Sequence, residues 1–257
     1  MKKHNLILLI CGSILSVLGI LFAVLTRSTA LQQQAGAAQT VPFAISLILA
    51  VLGLLLIILG LLPKQKKVSV RTLSMAALFA ALCYVGFTYC KIDIPVGMEK
   101  TAFHLGYVFC VLAALFLGGF WGGMAGAIGM TVADLTTAYV TSAPKTFLLK
   151  LCIGLITGFV AHTIFRLSQD KPRKIPLPAA TAISCIAGML FNVVADPLVG
   201  YFYKMYILGV PQEAANIWAK MGALTTFVNA IIAVVAATLL YTALRKALQK
   251  TNLLPKL

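Results

Sequence analysis

Apolar runs of about 20 residues, separated by short polar connections, recur along the whole chain. Each is long enough for a helix to cross a hydrocarbon core of about 30 Å. The pattern predicts eight spans, at about 5–25, 42–62, 72–89, 102–118, 121–140, 147–165, 177–198 and 220–243. The first run follows Lys2, Lys3 and His4, a start that a signal peptide would share. The run is long for such a segment, and Arg27 sits where a cleavage region should be neutral, so a retained span is the favoured reading. Pro42 opens the second span, where its missing N–H costs nothing. The charged stretch Pro63-Lys64-Gln65-Lys66-Lys67 divides an N-terminal two-helix hairpin, residues 1–66, from a six-helix domain, residues 67–257. Lys91 to Lys100 reads as a polar loop, and Gly118 to Trp121 and Thr141 to Lys145 as tight connections.

Composition agrees with the span pattern. Hydrophobic residues make up 61% of the chain and charged ones 11%, which marks an all-α integral membrane protein. The formal net charge of +15 lies in short loops beside apolar runs. Membrane orientation explains that placement better than nucleic acid does. With the N-terminus inside, about two thirds of the Lys and Arg residues fall on the cytoplasmic side, and both termini are cytoplasmic. The six cysteines lie in or at the ends of apolar runs without metal-binding spacing, and read as small buried hydrophobes.

Glycines at 118, 122 and 126, with 119, 123 and 129 beside them, form a ladder on the fifth span. Such a ladder lets neighbouring backbones approach closely. The third span carries two overlaid small-residue spacings, Ala76/Ala80 and Ala77/Ala81. Either could serve packing within the bundle or docking of an outside helix.

Polar groups inside the spans are costly, at about 2.5–3.5 kcal/mol each on insertion scales. Asp134 and Lys150 lie about 9 Å below the outer surface, from a rise of 1.5 Å per residue. Asn192 and Asp196, four positions apart, share one face of the seventh span, and Asn229 lies deeper in the eighth. Together with the Lys91–Phe103 loop they would form a polar pocket open to the outside. Two structural readings compete: Asp134 and Lys150 neutralising each other, and the asparagines bonding across helices. Asp196 precedes Pro197, so it could also mark a helix end. His104 would stand at a helix start facing the pocket, whereas His162 reads as a solvated interfacial residue near the cytoplasmic end. Tyr84, Tyr89, Phe103, Tyr107, Trp218 and Phe227 could stack on a flat heterocycle or serve as belt residues.

No phosphate-binding loop and no His-Glu-x-x-His occurs, so neither ATP hydrolysis nor metalloprotease chemistry is expected of this chain. No metal site or cofactor is expected.

Several motifs follow one another in a familiar order. They are His104-Leu105-Gly106, Trp121-Gly122, Ala125-Gly126-Ala127-Ile128-Gly129, Ala133-Asp134 and Ala143-Pro144-Lys145-Thr146-Phe147-Leu148-Leu149-Lys150. The series resembles the substrate-binding S component of energy-coupling factor (ECF) vitamin transporters, in particular the riboflavin-type group. The likeness runs from near Arg71 to the C-terminus, and Gly200-Tyr201-Phe202 and Asn229 match it as well. One departure is Tyr107, where the family pattern often has Asp. The resemblance implies a six-helix S-component bundle in a bacterial plasma membrane, here with an added N-terminal hairpin. It implies a vitamin-like heterocycle, riboflavin-like or pyrimidine-type, as the ligand, and the candidate contacts in this chain are His104, Tyr107, Asp134, Lys150, Asn192, Asp196 and Asn229. It also implies a transmembrane coupling subunit docking on the alanine face (Ala76, Ala77, Ala80, Ala81) and two cytosolic ATPase subunits. The main rival is a secondary transporter coupled to ions through Asp134 and Lys150, although no inverted repeat of helices is visible. A membrane enzyme and a purely structural partner protein are the remaining alternatives.

Overall fold

A computed structural model describes residues 69–96, 99–169 and 175–251. The expected spans at 5–25 and 42–62, the 1–66 hairpin and its linker lie outside the described residues. Tyr201–Ala215 falls in one compact unit; Pro63–Gly200 and Asn216–Leu257 fall in the other, which carries all the site residues named above. Within Tyr201–Ala215 the rings of Phe202 and Tyr206 stack at 5.8 Å, and Gly209 turns the chain with φ +67°.

The described residues form six helices and one hairpin. In order they are α1 (Val70–Thr88), β1 (Lys91–Val96), β2 (Glu99–His104), α2 (Gly106–Leu117), α3 (Gly119–Leu135), α4 (Ala143–Phe159), α5 (Leu177–Tyr206) and α6 (Gln212–Lys250). A 3-10 turn, Val140–Ser142, leads into α4, and a π-helical turn, Val160–Ile164, ends it. Among the described residues four helical stretches are long and apolar enough to cross a membrane: Val70–Thr88, Val140–Ile164, Leu177–Tyr206 and Gln212–Lys250. Apolar α2, with 12 residues, is shorter.

Local chemistry sets the ends of these elements. Ser69 caps α1 by accepting the Thr72 N–H at 3.1 Å, which satisfies one of the free donors of the first turn. Gly118 adopts φ +81°, a conformation open to glycine, and redirects the chain from α2 into α3 in a single residue. The connection is therefore tighter than the expected Gly118 to Trp121. Pro144 sits in the first turn of α4, where no helical hydrogen bond is lost.

The glycine ladder serves three neighbours. A Cβ added at Gly122 or Gly126 would collide with Ala114 or Cys110 on α2. One at Gly154 or Gly158 of α4 would collide with Gly123 or Gly119, and one at Gly129 would strike the Ala80 carbonyl of α1. Helix α3 is thus the axis against which α1, α2 and α4 pack backbone to backbone. The two alanine spacings on α1 separate accordingly. Ala76 is buried and Ala80 half-buried towards α3, whereas Ala77 and Ala81 are exposed.

Three expectations need correction. The polar loop is an antiparallel hairpin in which Lys91 pairs with His104 and Asp93 with Ala102. Ile92, Ile94 and Val96 supply its β-branched residues, and Pro95 is tolerated on an edge strand. The helix expected from residue 102 consequently begins at Gly106. Second, Pro197 does not end its helix, because α5 continues to Tyr206. A proline in a helix forfeits one backbone bond and clashes with a carbonyl, at about 3 kcal/mol or more. The ties of the adjacent Asp196 to Lys145 and Thr226 help to offset that cost. Third, His162 is half-buried, with Nε2–H donating to the Ala114 carbonyl at 3.1 Å and Nδ1 against Ser168 Oγ at 2.8 Å. It joins α4 to α2 and is no solvated residue.

Candidate functional site

The site begins with one turn of α4. Thr146 and Lys150 are four positions apart, so they project from the same face. Both are buried, and Lys150 is only 3% exposed. Its ammonium donates to Tyr107 Oη at 2.8 Å and to Asn192 Oδ1 at 3.4 Å, and lies 4.5 Å from the centre of the Tyr107 ring. Every one of these contacts is to a neutral group. Among the described residues the ion pairs are Lys91–Asp93 and Lys145–Asp196, so Asp134 and Lys150 do not form a direct pair.

An aromatic stack continues from Tyr107. The His104 ring lies parallel to Tyr107 with centroids 4.7 Å apart, and Phe87 meets His104 edge-on at 4.4 Å. Tyr139 meets Phe87 in turn at 5.5 Å. The rings of Tyr107, His104 and Phe87 thus form a wall of the kind that packs against a flat aromatic ligand, and Tyr139 links the outer side of Phe87 to the hairpin.

Asp134, on α3, is buried near Thr146. Its carboxylate oxygen Oδ2 is buried and has no hydrogen-bond partner among the described residues. The same holds for Asn192 Nδ2 and His104 Nδ1. Buried polar atoms are nearly always hydrogen-bonded, so an acceptor, a donor and a ring nitrogen left unpaired around one ammonium mark a place built for a polar guest.

The remaining two site residues hold the frame. Both oxygens of Asp196 are occupied, Oδ1 by the Lys145 ammonium at 2.8 Å and Oδ2 by the Thr226 hydroxyl at 3.0 Å. Asp196 therefore ties α5 to α4 and α6, one turn from Asn192. Asn229 uses its amide on the hairpin: Oδ1 accepts the His104 N–H and Nδ2 donates to the Ala102 carbonyl, each at 3.0 Å. One turn earlier on α6, Thr225 bonds Thr101 at 2.9 Å. The Asn229 amide thus clamps β2 as a third strand would.

Of the seven residues expected at the site, His104, Tyr107, Lys150 and Asn192 form one continuous chain of contacts. Sequence reasoning did not single out Phe87, Tyr139, Thr146 or Thr226, and it quoted Lys145 only within a motif. Thr146 could have been found from its spacing of four to Lys150. Thr226 and Phe87 carry no such signal, since their roles arise only when distant helices meet.

The arrangement can bind and orient a ligand by hydrogen bonds, stacking and one positive charge. Among the described residues no group of three or more His, Cys, Asp or Glu side chains could hold a metal ion. No curated protein and no solved structure matches the chain. The family model of the ECF-type riboflavin transporter, S component, matches residues 67–246, from just before α1 to near the end of α6, and the chain belongs to that family.

Proposed function

We propose that the chain captures riboflavin, or a heterocycle with the same polar edge, and presents it for ATP-driven uptake. As a member of this family it is a membrane transporter component and not an enzyme. The observation that carries the ligand reading is the set of polar atoms around Lys150. A flavin imide edge offers acceptor, donor, acceptor in a row: two carbonyls flanking an N–H. Lys150 Nζ and the unpaired Asn192 Nδ2 are donors, and the unpaired Asp134 Oδ2 is an acceptor, which is the complementary set. The ring wall of Tyr107, His104 and Phe87 suits the flat body of such a ligand.

The fuller topology belongs to the same proposal. The six described helices make the binding domain, oriented with the far end of α6 towards the cytoplasm. The hairpin end of the bundle then faces outside, where ligand arrives. One coupling membrane subunit and two cytosolic ATPase subunits complete the importer. Docking falls to the exposed face of α1, which carries Ala77 and Ala81 beside Leu73 and Leu78. Ala76 is buried in the core and the Ala80 backbone meets Gly129 of α3, so these two positions serve packing within the bundle.

Mass spectrometry of the small molecule that copurifies with the chain tests the ligand. Uptake by vesicles with and without the ATPase and coupling subunits tests the transport mode. Riboflavin in the first assay and strict dependence on ATP and partners in the second are expected. Uptake by the chain alone on an ion gradient would establish an ion-coupled transporter instead.

A further inference from the structure

The two strands of the hairpin are held in different ways. Strand β2 is secured on both edges. Its inner edge pairs with β1, and its outer edge meets α6 through the buried Asn229 amide and through Thr225. The His104 N–H and the Ala102 carbonyl both face α6, so the alternation of an antiparallel pair turns the backbone groups of Phe103 and Thr101 towards their partners Ile92 and Ile94 on β1, while the Thr101 hydroxyl reaches Thr225. Strand β1 has no such second edge among the described residues. Among the described residues its side-chain hydrogen bond to the rest of the bundle is from the Tyr139 hydroxyl, which donates to Asp93 Oδ1 at 2.9 Å in an exposed setting, while Val96 at the far end of the strand is buried. Lys91 braces that contact, lying 3.2 Å from Asp93 and 5.1 Å from the centre of the Tyr139 ring.

Beneath this tie lies the ring wall. Tyr139 rests on Phe87, Phe87 on His104, and His104 on Tyr107, which holds Lys150. A solvent-exposed hydrogen bond thus closes the side of the hairpin that lies over the candidate site, while a buried, bidentate clamp closes the other. Exposed bonds open far more readily than buried ones, because water can replace the lost partner.

We propose that the Tyr139–Asp93 bond is a latch on β1, and that ligand enters and leaves by release of β1 on the Tyr139 side while β2 stays fixed to α6. Tyr139 and Asp93 are positioning residues in this scheme and touch no ligand. The latch acts on the path to the site and leaves the bound state unchanged. Losing it therefore changes how fast ligand exchanges and leaves affinity nearly constant. The ligand part of the argument rests on the reading given under Proposed function, so a ligand-free measurement accompanies it.

The test uses the full chain in nanodiscs with Tyr139→Phe and Asp93→Ala. Tyr139→Phe removes only the hydroxyl and keeps the ring on Phe87. In ligand-free protein, amide hydrogen exchange at Ile92 and Ile94 should rise about fivefold in either variant, the loss expected for one exposed hydrogen bond. Exchange at His104, held by Asn229, should stay at the parent rate. In stopped-flow fluorescence with riboflavin as the probe, the association and dissociation rates should rise together, leaving Kd within about twofold. Unchanged exchange at Ile92 and Ile94 in both variants overturns the latch, as does equal acceleration of His104. A rise in Kd with an unchanged association rate overturns it too, since that places the two residues in the bound site. If riboflavin does not bind the parent, the ligand reading fails, and the exchange result still decides the latch.

Discussion

Replacing Lys150 by Met separates a ligand-binding site from an internal polar network. Met matches the length of the lysine stem and removes the ammonium. The ammonium has three N–H donors and, among the described residues, two acceptors, Tyr107 Oη at 2.8 Å and Asn192 Oδ1 at 3.4 Å, with no carboxylate in direct contact. The substitution therefore strands no ion-pair partner. It leaves two neutral groups short of a bond, at about 1–3 kcal/mol each. Against that, it lifts the desolvation penalty of a buried charge, which is several kcal/mol. The two effects are similar in size, so the melting temperature should change little. Ligand binding has no such compensation. Losing a hydrogen bond from a charged donor costs about 1.5–3 kcal/mol, or roughly tenfold to a hundredfold in Kd. Titration calorimetry and melting curves on parent and Lys150→Met read the two quantities separately. A Kd within about twofold of the parent, together with a large fall in melting temperature, would refute the site.

Other substitutions test the frame. Asn229→Ala leaves the His104 N–H and the Ala102 carbonyl without partners, each worth about 1–3 kcal/mol when buried, so melting temperature should fall and exchange at the His104 amide should rise. Gly154→Ala places a Cβ into the Gly123 backbone and should destabilise the α3–α4 contact by about 1–3 kcal/mol, read as a lower melting temperature; an unchanged value would mean the two backbones do not approach as described. Ala77→Leu with Ala81→Leu should reduce copurification of the coupling subunit while ligand affinity holds, and full recovery of the partner would move docking elsewhere.

The helices were legible because long apolar runs leave few alternatives to a membrane span, and the glycine ladder announced close packing. The hairpin was hidden. Its alternating Ile92, Ile94 and Val96 are interrupted by Asp93 and Pro95, and its stability depends on Asn229, which lies 125 residues away from His104. The cost of placing Asp134, Lys150, Asn192, Asp196 and Asn229 in apolar helices pointed to one polar region, and they do gather near the hairpin end of the bundle. Depth alone could not distinguish their roles. Whether an amide meets a ligand or a strand depends on which backbone groups face it, as Asn229 illustrates. Asp196 looked like a helix end because it precedes Pro197, yet Lys145 and Thr226 hold it within a continuous helix.

The most direct test of the central claim is a fluorescence titration of the purified chain with riboflavin and, in parallel, with its N3-methyl derivative. The methyl group removes the one imide donor that Asp134 Oδ2 would accept and leaves the ring system intact. The account requires saturable binding of riboflavin at one molecule per chain. It also requires affinity for the methylated compound to be weaker by about tenfold or more, the cost of an unmade hydrogen bond to a buried carboxylate. Equal affinity for the two compounds, or no saturable binding by folded protein, would contradict it.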